Sequence, residues 1–196
     1  MERDRQSRNS FPPTKMKLNS SFYKWAWGIV EGCKNDCDYC YARTEIERRG
    51  DNFRVPYFRE DRLMEPFLVR PSRIFVNHLG DIAYTKSKDM EKIIAVCEEL
   101  PEHEFIFMTK SPNVYFKYDF PGNCILGVTI EKPDYWWRAE GVKSFKRTMC
   151  SVEPILGDFT GIDFSQFEFV VIGALIGSTG KEFYDTVIHD KIYYTR

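Results

Sequence analysis

No stretch of this sequence is apolar for long enough to span a membrane, and no apolar signal region follows its start. The expectation is a cytosolic protein. The chain also lacks charge of one sign: its formal net charge is −1, so no global basic field points to nucleic acid. The exception is residues 1–20, where Arg3, Arg5, Arg8, Lys15 and Lys17 outnumber Glu2 and Asp4. That segment reads as a flexible basic arm preceding one core domain over residues 21–196. No internal repeat is visible, which excludes a solenoid, and no low-complexity tract is present. A glycine-rich phosphate turn after the first apolar run is also missing.

What is present is alternation. Short runs rich in β-branched and aromatic residues lie at 25–30, 73–79, 104–108, 124–130, 147–152 and 167–175. Runs that short and that continuously apolar predict buried parallel strands. Helical spacing predicts helices over 41–49, ending at Gly50, and over 86–100, ending before Pro101. Weaker patterns predict helices over 133–140 and 181–191, and no helix is expected over 153–166. An eight-unit barrel takes about 31 residues per unit, so six units need about 190. The length suits six strand-plus-connection units, as a partial barrel or an open doubly wound sheet. In either fold, function belongs at the C-terminal ends of the strands.

Half of the six cysteines fall in one stretch, GCKNDCDYCYAR, after the first predicted strand. Cys33, Cys37 and Cys40 are separated by three and two residues. In a reducing cytosol such a group argues for metal or reactive chemistry rather than disulfides. A redox CxxC pair leaves the third thiol unexplained. Structural zinc takes four ligands, usually as two pairs, and Cys97, Cys124 and Cys150 are scattered singly on core patterns. His78, ending the second predicted strand, is the candidate to complete a Cys₃His site. Iron–sulfur clusters normally take four thiolates, so three leave one iron open.

The Cys-x-x-x-Cys-x-x-Cys spacing, with Tyr39 before the last cysteine, resembles the cluster motif of the radical S-adenosylmethionine superfamily. Membership implies a partial (β/α)6 TIM-like barrel. It further implies a [4Fe-4S] cluster on Cys33, Cys37 and Cys40, with S-adenosyl-L-methionine chelating the fourth iron. The stretches IFVNHLGDI, FIFMTKSP, ILGVTIEKPDYWWR, CSVEPILGDF and VVIGALIG, which with the cysteine motif lie between residues 27 and 177, together resemble an uncharacterised phage- and prophage-associated radical-SAM-like family. The cysteine stretch also resembles spore photoproduct lyase. The family's glycine-glycine-glutamate after strand two reads His78-Leu79-Gly80-Asp81 here, so Gly80 and Asp81 are its analogues. The glycine-rich strand-five motif is replaced by Ser151-Val152-Glu153-Pro154.

The resemblance turns the strand ends into candidate cofactor residues. Asp81 can accept from the amino group, and its ordinary alternative is a turn cap. Lys110 can neutralise the carboxylate. Thr129 and Glu131 can hold ribose hydroxyls, and Glu131 can otherwise cap the next helix. Ser151 and Glu153 close strand five. The backbone at Gly173 and Ala174 can approach the adenine, with Gly177 and Gly180 beyond. Tyr135, Trp136 and Trp137 can stack or simply pack, and the long insert at 52–71 is a candidate lid. The implied partners are an unknown substrate and an external electron donor of flavodoxin or ferredoxin type. Competing readings are a non-enzymatic zinc or iron–sulfur module associated with nucleic acid, and a DNA repair enzyme like spore photoproduct lyase. The near-neutral charge gives the DNA repair reading little support, and a colourless preparation with stoichiometric zinc would favour the metal module.

Overall fold

The computed structural model describes residues 22–173 and 193–195. The basic arm, Ala174, Gly177, Gly180 and the helix expected over 181–191 lie outside the described residues.

Six strands run parallel in one sheet: β1 (Trp25–Trp27), β4 (Arg73–Val76), β5 (Glu104–Thr109), β6 (Cys124–Thr129), β7 (Thr148–Val152) and β8 (Phe169–Ile172). Each strand adds beside the one before it. That sequential order has no reversal point, so the doubly wound alternative does not hold. It is the winding of a partial TIM-like barrel. A seventh strand, β9 (Tyr193–Thr195), pairs antiparallel with β8, and among the described residues no strand joins β1 to β9.

The period-two alternation separates two faces. Phe105, Phe107, Leu126, Val128, Cys150, Val152 and Val170 point into the main core with helix α2 (Ser87–Glu99). Right-handed crossovers in a singly wound sheet place all connections on that one face. Met90, Ile93, Ile94 and Cys97 are the buried stripe of α2, as their spacing predicts. Ile106, Ile125, Met149, Phe169 and Val171 form a second cluster on the other face. Every residue of β7 is buried, which explains why its sequence shows no polar alternation.

The first predicted strand is interrupted. β1 stops at Trp27, whose carbonyl accepts from the Asn77 amide. Residues Val30–Glu31 form a separate strand, β2, antiparallel to β3 (Tyr57–Phe58) in the insert. Helix α1 (Tyr41–Arg48) buries Ala42 and Ile46 and ends at Gly50 with φ +83°, as expected of a glycine after a helix. The connection predicted as a helix over 133–140 is a 3₁₀ turn, Pro133–Tyr135, followed by the short α3 (Trp137–Glu140). The β5–β6 connection carries only a 3₁₀ segment, Pro112–Lys117. Among the described residues, the connections after β5 and β6 thus carry less helix than full units would give.

Candidate functional site at the C-terminal rim of the sheet

The cysteine loop leaves β2 and enters α1 above the C-terminal strand ends. Gly32 at its base has φ +95° and forms a parallel bridge to Gly80. A Cβ on Gly80 would sit 2.8 Å from the carbonyl oxygens of both Gly32 and Val30. Gly80 is therefore the point where the loop's base closes on the end of β4. Gly80→Ala is expected to destabilise the fold by about 1–3 kcal/mol in urea denaturation, because two backbone groups must move. An unchanged midpoint would show that the two segments need not touch.

Cys33, Cys37 and Cys40 are half-buried free thiols. The Asn35 amide donates to Cys33 Sγ at 3.3 Å, and Cys37 Sγ approaches the Asn35 carbonyl at 4.0 Å. Burial pushes the Cys33 thiol up to about 12, against the pull of the Asn35 amide, and the neighbouring sulfurs push the same way. Burial also raises Cys40, although the first-turn amides of α1 and Arg43 counter it. Three half-buried thiols thus share one short loop, and burial disfavours the thiolate at Cys33 and Cys40. In chemistry and placement they suit an iron–sulfur cluster. Among the described residues no three His, Cys, Asp or Glu side chains converge on a common metal position.

Two residues between the cysteines fasten the loop to the strand ends. Asn35 donates from Nδ2 to Asp81 Oδ2 at 2.7 Å and accepts from Tyr84 at 2.6 Å. Asp81 is buried and takes four donors: the Ala83 amide and Thr109 Oγ1 on Oδ1, and Asn35 and the Lys110 amide on Oδ2. It does cap the 3₁₀ turn Ile82–Tyr84, and it also joins the cysteine loop to the end of β5.

Tyr39 is the second fastening. Its hydroxyl donates to Glu131 Oε1 at 2.9 Å and receives Lys110 Nζ at 2.6 Å. Lys110 also pairs with Glu131 at 2.7 Å, and Arg138 from α3 pairs with its other oxygen at 2.8 Å. Burial pushes the Glu131 carboxyl up, but Lys110 and Arg138 outweigh it and hold the group below its ordinary range. Two cations around one carboxylate leave the cluster net positive. Arg138 also donates to the Thr129 carbonyl and stacks on the rings of Tyr135 and Trp137. Of the aromatic trio, Trp136 packs edge-on against Phe164 and Phe167, while Trp137 is exposed.

Thr129, Ser151, Glu153 and Gly173 follow the parity of the second face, at the ends of β6, β7 and β8. Ser151 Oγ donates to Glu153 Oε2 at 3.3 Å. A Cβ on Gly173 would meet Glu153 Oε1 at 2.3 Å, so the glycine leaves room for that carboxylate. The C-terminal strand ends of β4 to β8 therefore carry Gly80, Asp81, Lys110, Thr129, Glu131, Ser151, Glu153 and Gly173, of which Gly80, Asp81, Lys110 and Glu131 touch the cysteine loop.

His78 corrects one expectation. Its ring lies against Gly28 and beside Arg62, not with the thiols, so it is no fourth ligand. Burial, helped by Arg62, lowers it to about 4, and its Nδ1 has no hydrogen-bond partner. A histidine depressed below its unfolded value of about 6.5 stabilises the fold fully above that value. The contribution is lost as pH falls toward 4. Between pH 7 and 4.5 this is worth about 2–3 kcal/mol. His78→Gln should flatten the pH dependence of the urea midpoint by that amount. Parallel pH profiles for the two proteins would contradict the assignment.

The sequence did not disclose Asn35 or Arg138 as site residues. Asparagine between cysteines reads as a turn, and a lone arginine reads as surface. Surface hollows beside α2 and under the N-terminal strand ends are lined by none of the rim residues. Among the described residues no helix is long and apolar enough to cross a membrane.

Comparison with known proteins adds two findings. A family model described as "Protein of unknown function (DUF5131)" matches residues 19–188. The fold resembles that of a spore photoproduct lyase solved in complex with a dinucleoside spore photoproduct, at a TM-score of 0.53 and 16% identity. The likeness covers 68% of this chain and 46% of that one, so it spans about half of the other protein and is a likeness of fold. No curated protein matches the sequence.

Proposed function

The chain belongs to the family described as protein of unknown function (DUF5131), and from its fold and rim we propose that it is a radical S-adenosylmethionine enzyme. The observation that carries this reading is the position of three half-buried thiols on one loop, over the C-terminal ends of a singly wound parallel sheet. When bound there, a [4Fe-4S] cluster and S-adenosyl-L-methionine supply reductive cleavage of the sulfonium and a carbon radical that abstracts hydrogen.

The chain's own residues hold and orient. Cys33, Cys37 and Cys40 supply three thiolates. Asn35 and Tyr39 tie their loop to β4, β5 and β6. Gly80 and Asp81 lie where the resemblance puts the amino end of the cofactor, and Asp81, with four donors on its two oxygens, would act there by fixing the cysteine loop and the end of β5. Lys110, within its net-positive group, serves the carboxylate. Thr129 and Glu131 serve the ribose, Gly173 and Ala174 the adenine, and Ser151 with Glu153 completes the wall. The electron comes from a separate donor of flavodoxin or ferredoxin type, in a reducing cytosol. The substrate is a molecule that enters over the strand ends.

Anaerobic reconstitution with iron and sulfide, followed by dithionite and S-adenosylmethionine, tests the reading. The expected product is 5′-deoxyadenosine, formed in a cluster-dependent way. A protein that loads a cluster yet yields no 5′-deoxyadenosine would overturn it.

A further inference from the structure

Glu31 is fully buried two residues before the first cysteine. Its carboxylate is ringed by cations. Arg49, just past α1, reaches Oε2 at 2.9 Å and Oε1 at 3.4 Å. Arg59 reaches Oε1 at 3.2 Å, Arg62 lies 3.8 Å from the same oxygen, and the Tyr57 hydroxyl donates to Oε2. A buried carboxylate this fully paired is costly to disturb, because removing it leaves its cations facing one another. The partners are not random in sequence. Glu31 precedes the cysteine loop, Arg49 follows the helix that the loop enters, and Tyr57, Arg59 and Arg62 belong to the insert. One carboxylate therefore closes the segment 32–48 at both ends.

The insert grips the same loop at three further points. The Phe53 carbonyl accepts from the Cys33 amide at 2.9 Å. Gly32 packs so closely on Phe53 and Pro56 that a Cβ would come within 2.8 Å of the Phe53 carbonyl and 2.9 Å of Pro56 Cα. Arg54 and Arg43 both donate to Asp36, which sits in a left-handed conformation between Cys33 and Cys37. Residues 53–62 thus follow the loop from its base to its tip. The remaining charges are balanced locally, Arg59 by Asp61 and Arg62 by Glu65.

We propose that Glu31 is a positioning residue for the cysteine loop, and that residues 53–62 are a clasp that holds the loop ready for its cluster rather than a lid over the rim. The inference rests on Cys33, Cys37 and Cys40 being cluster ligands, and it concerns how they are held. It assigns Glu31 no contact with cofactor or substrate.

The test compares Glu31→Gln with Glu104→Gln. Glu104 is paired to Arg73 and Arg147 at the N-terminal end of β5, so its loss breaks a more exposed ion pair at the other end of the sheet. Two readouts are taken on the full chain. The first is amide hydrogen exchange over 32–40 and alkylation of Cys33, Cys37 and Cys40 before reconstitution. The second is bound iron and the spectrum of the reduced cluster after it. Glu31→Gln should speed exchange and alkylation in the loop by roughly tenfold or more and lower iron loading, while Glu104→Gln leaves both near wild type. Tyr57→Phe, which removes one donor and no charge, should give a smaller change of the same kind. Loop exchange unchanged in Glu31→Gln, or raised equally in both glutamine variants, would overturn the clasp. A wild-type chain that takes up no cluster, with exchange still raised selectively by Glu31→Gln, would instead sink the radical-enzyme reading and the cluster-holding role with it, leaving only Glu31's positioning of the loop.

Discussion

Alanine at any one of Cys33, Cys37 or Cys40 is expected to abolish cluster iron after anaerobic reconstitution. Alanine at Cys97, Cys124 or Cys150 is expected to leave iron content unchanged. The two groups differ in place as well as in sequence. The first three thiols are half-buried on one loop. Cys97, Cys124 and Cys150 are buried with the main core, and burial raises Cys97 and Cys150 far above the ordinary thiol range. Inert, apolar surroundings of that kind suit a small packing residue and not a ligand. Their loss should appear as reduced stability, about 1 kcal/mol for each small cavity. Iron analysis with the visible absorption of the six variants checks both halves. An essential role for any core cysteine would break the three-ligand assignment.

Asp81→Ala should be the most damaging single change at the rim outside the cysteines. It orphans the Asn35 amide group, Thr109 Oγ1 and the backbone amides of Ala83 and Lys110 at once. Each buried donor left unpaired costs about 1–3 kcal/mol, and water entering the gap recovers part of that. The expected net loss is about 3–5 kcal/mol by urea denaturation, the range found when a buried charged partner is removed. Because Asn35 loses its anchor, the cysteine loop should also loosen, and cofactor binding should weaken beyond what the stability loss alone produces. A variant within about 1 kcal/mol of wild type would mean that Asp81 is not the joint between loop and sheet.

The sequence carried the parts of this arrangement that repeat. Buried parallel strands need continuous apolar runs, and β4 to β8 each fall on one, β5 running one residue past it to Thr109. Amphipathic helices need spaced apolar positions, and α1 and α2 have them, with Gly50 and Pro101 marking their ends. The interruption after Trp27 was hidden, because Gly28 and Ile29 continue the apolar run while Asn77, in a left-handed conformation, turns the neighbouring strand away. Strand β2 exists only because the insert supplies β3 as its partner, and β9 only because β8 offers an edge. Such short pieces carry no periodicity of their own. At the rim, the cysteine spacing and the strand-end residues were legible. Their wiring was not, since Asp81–Asn35 and Tyr39–Glu131 join residues 46 and 92 positions apart. His78 looked like a ligand from its place after a strand. Its burial, which lowers its basicity with help from the Arg62 beside it, depends on an insert whose path only the fold reveals.

The central claim is that three thiolates leave one iron for a chelating amino acid, with the rim shaped to hold it. The most direct measurement is the electron paramagnetic resonance spectrum of the reduced, reconstituted protein with and without saturating S-adenosylmethionine. The account predicts a changed spectrum on addition of S-adenosylmethionine, with the change weakened in Asp81→Ala. An unchanged spectrum at saturation would mean that another ligand fills the fourth position, and would contradict the account.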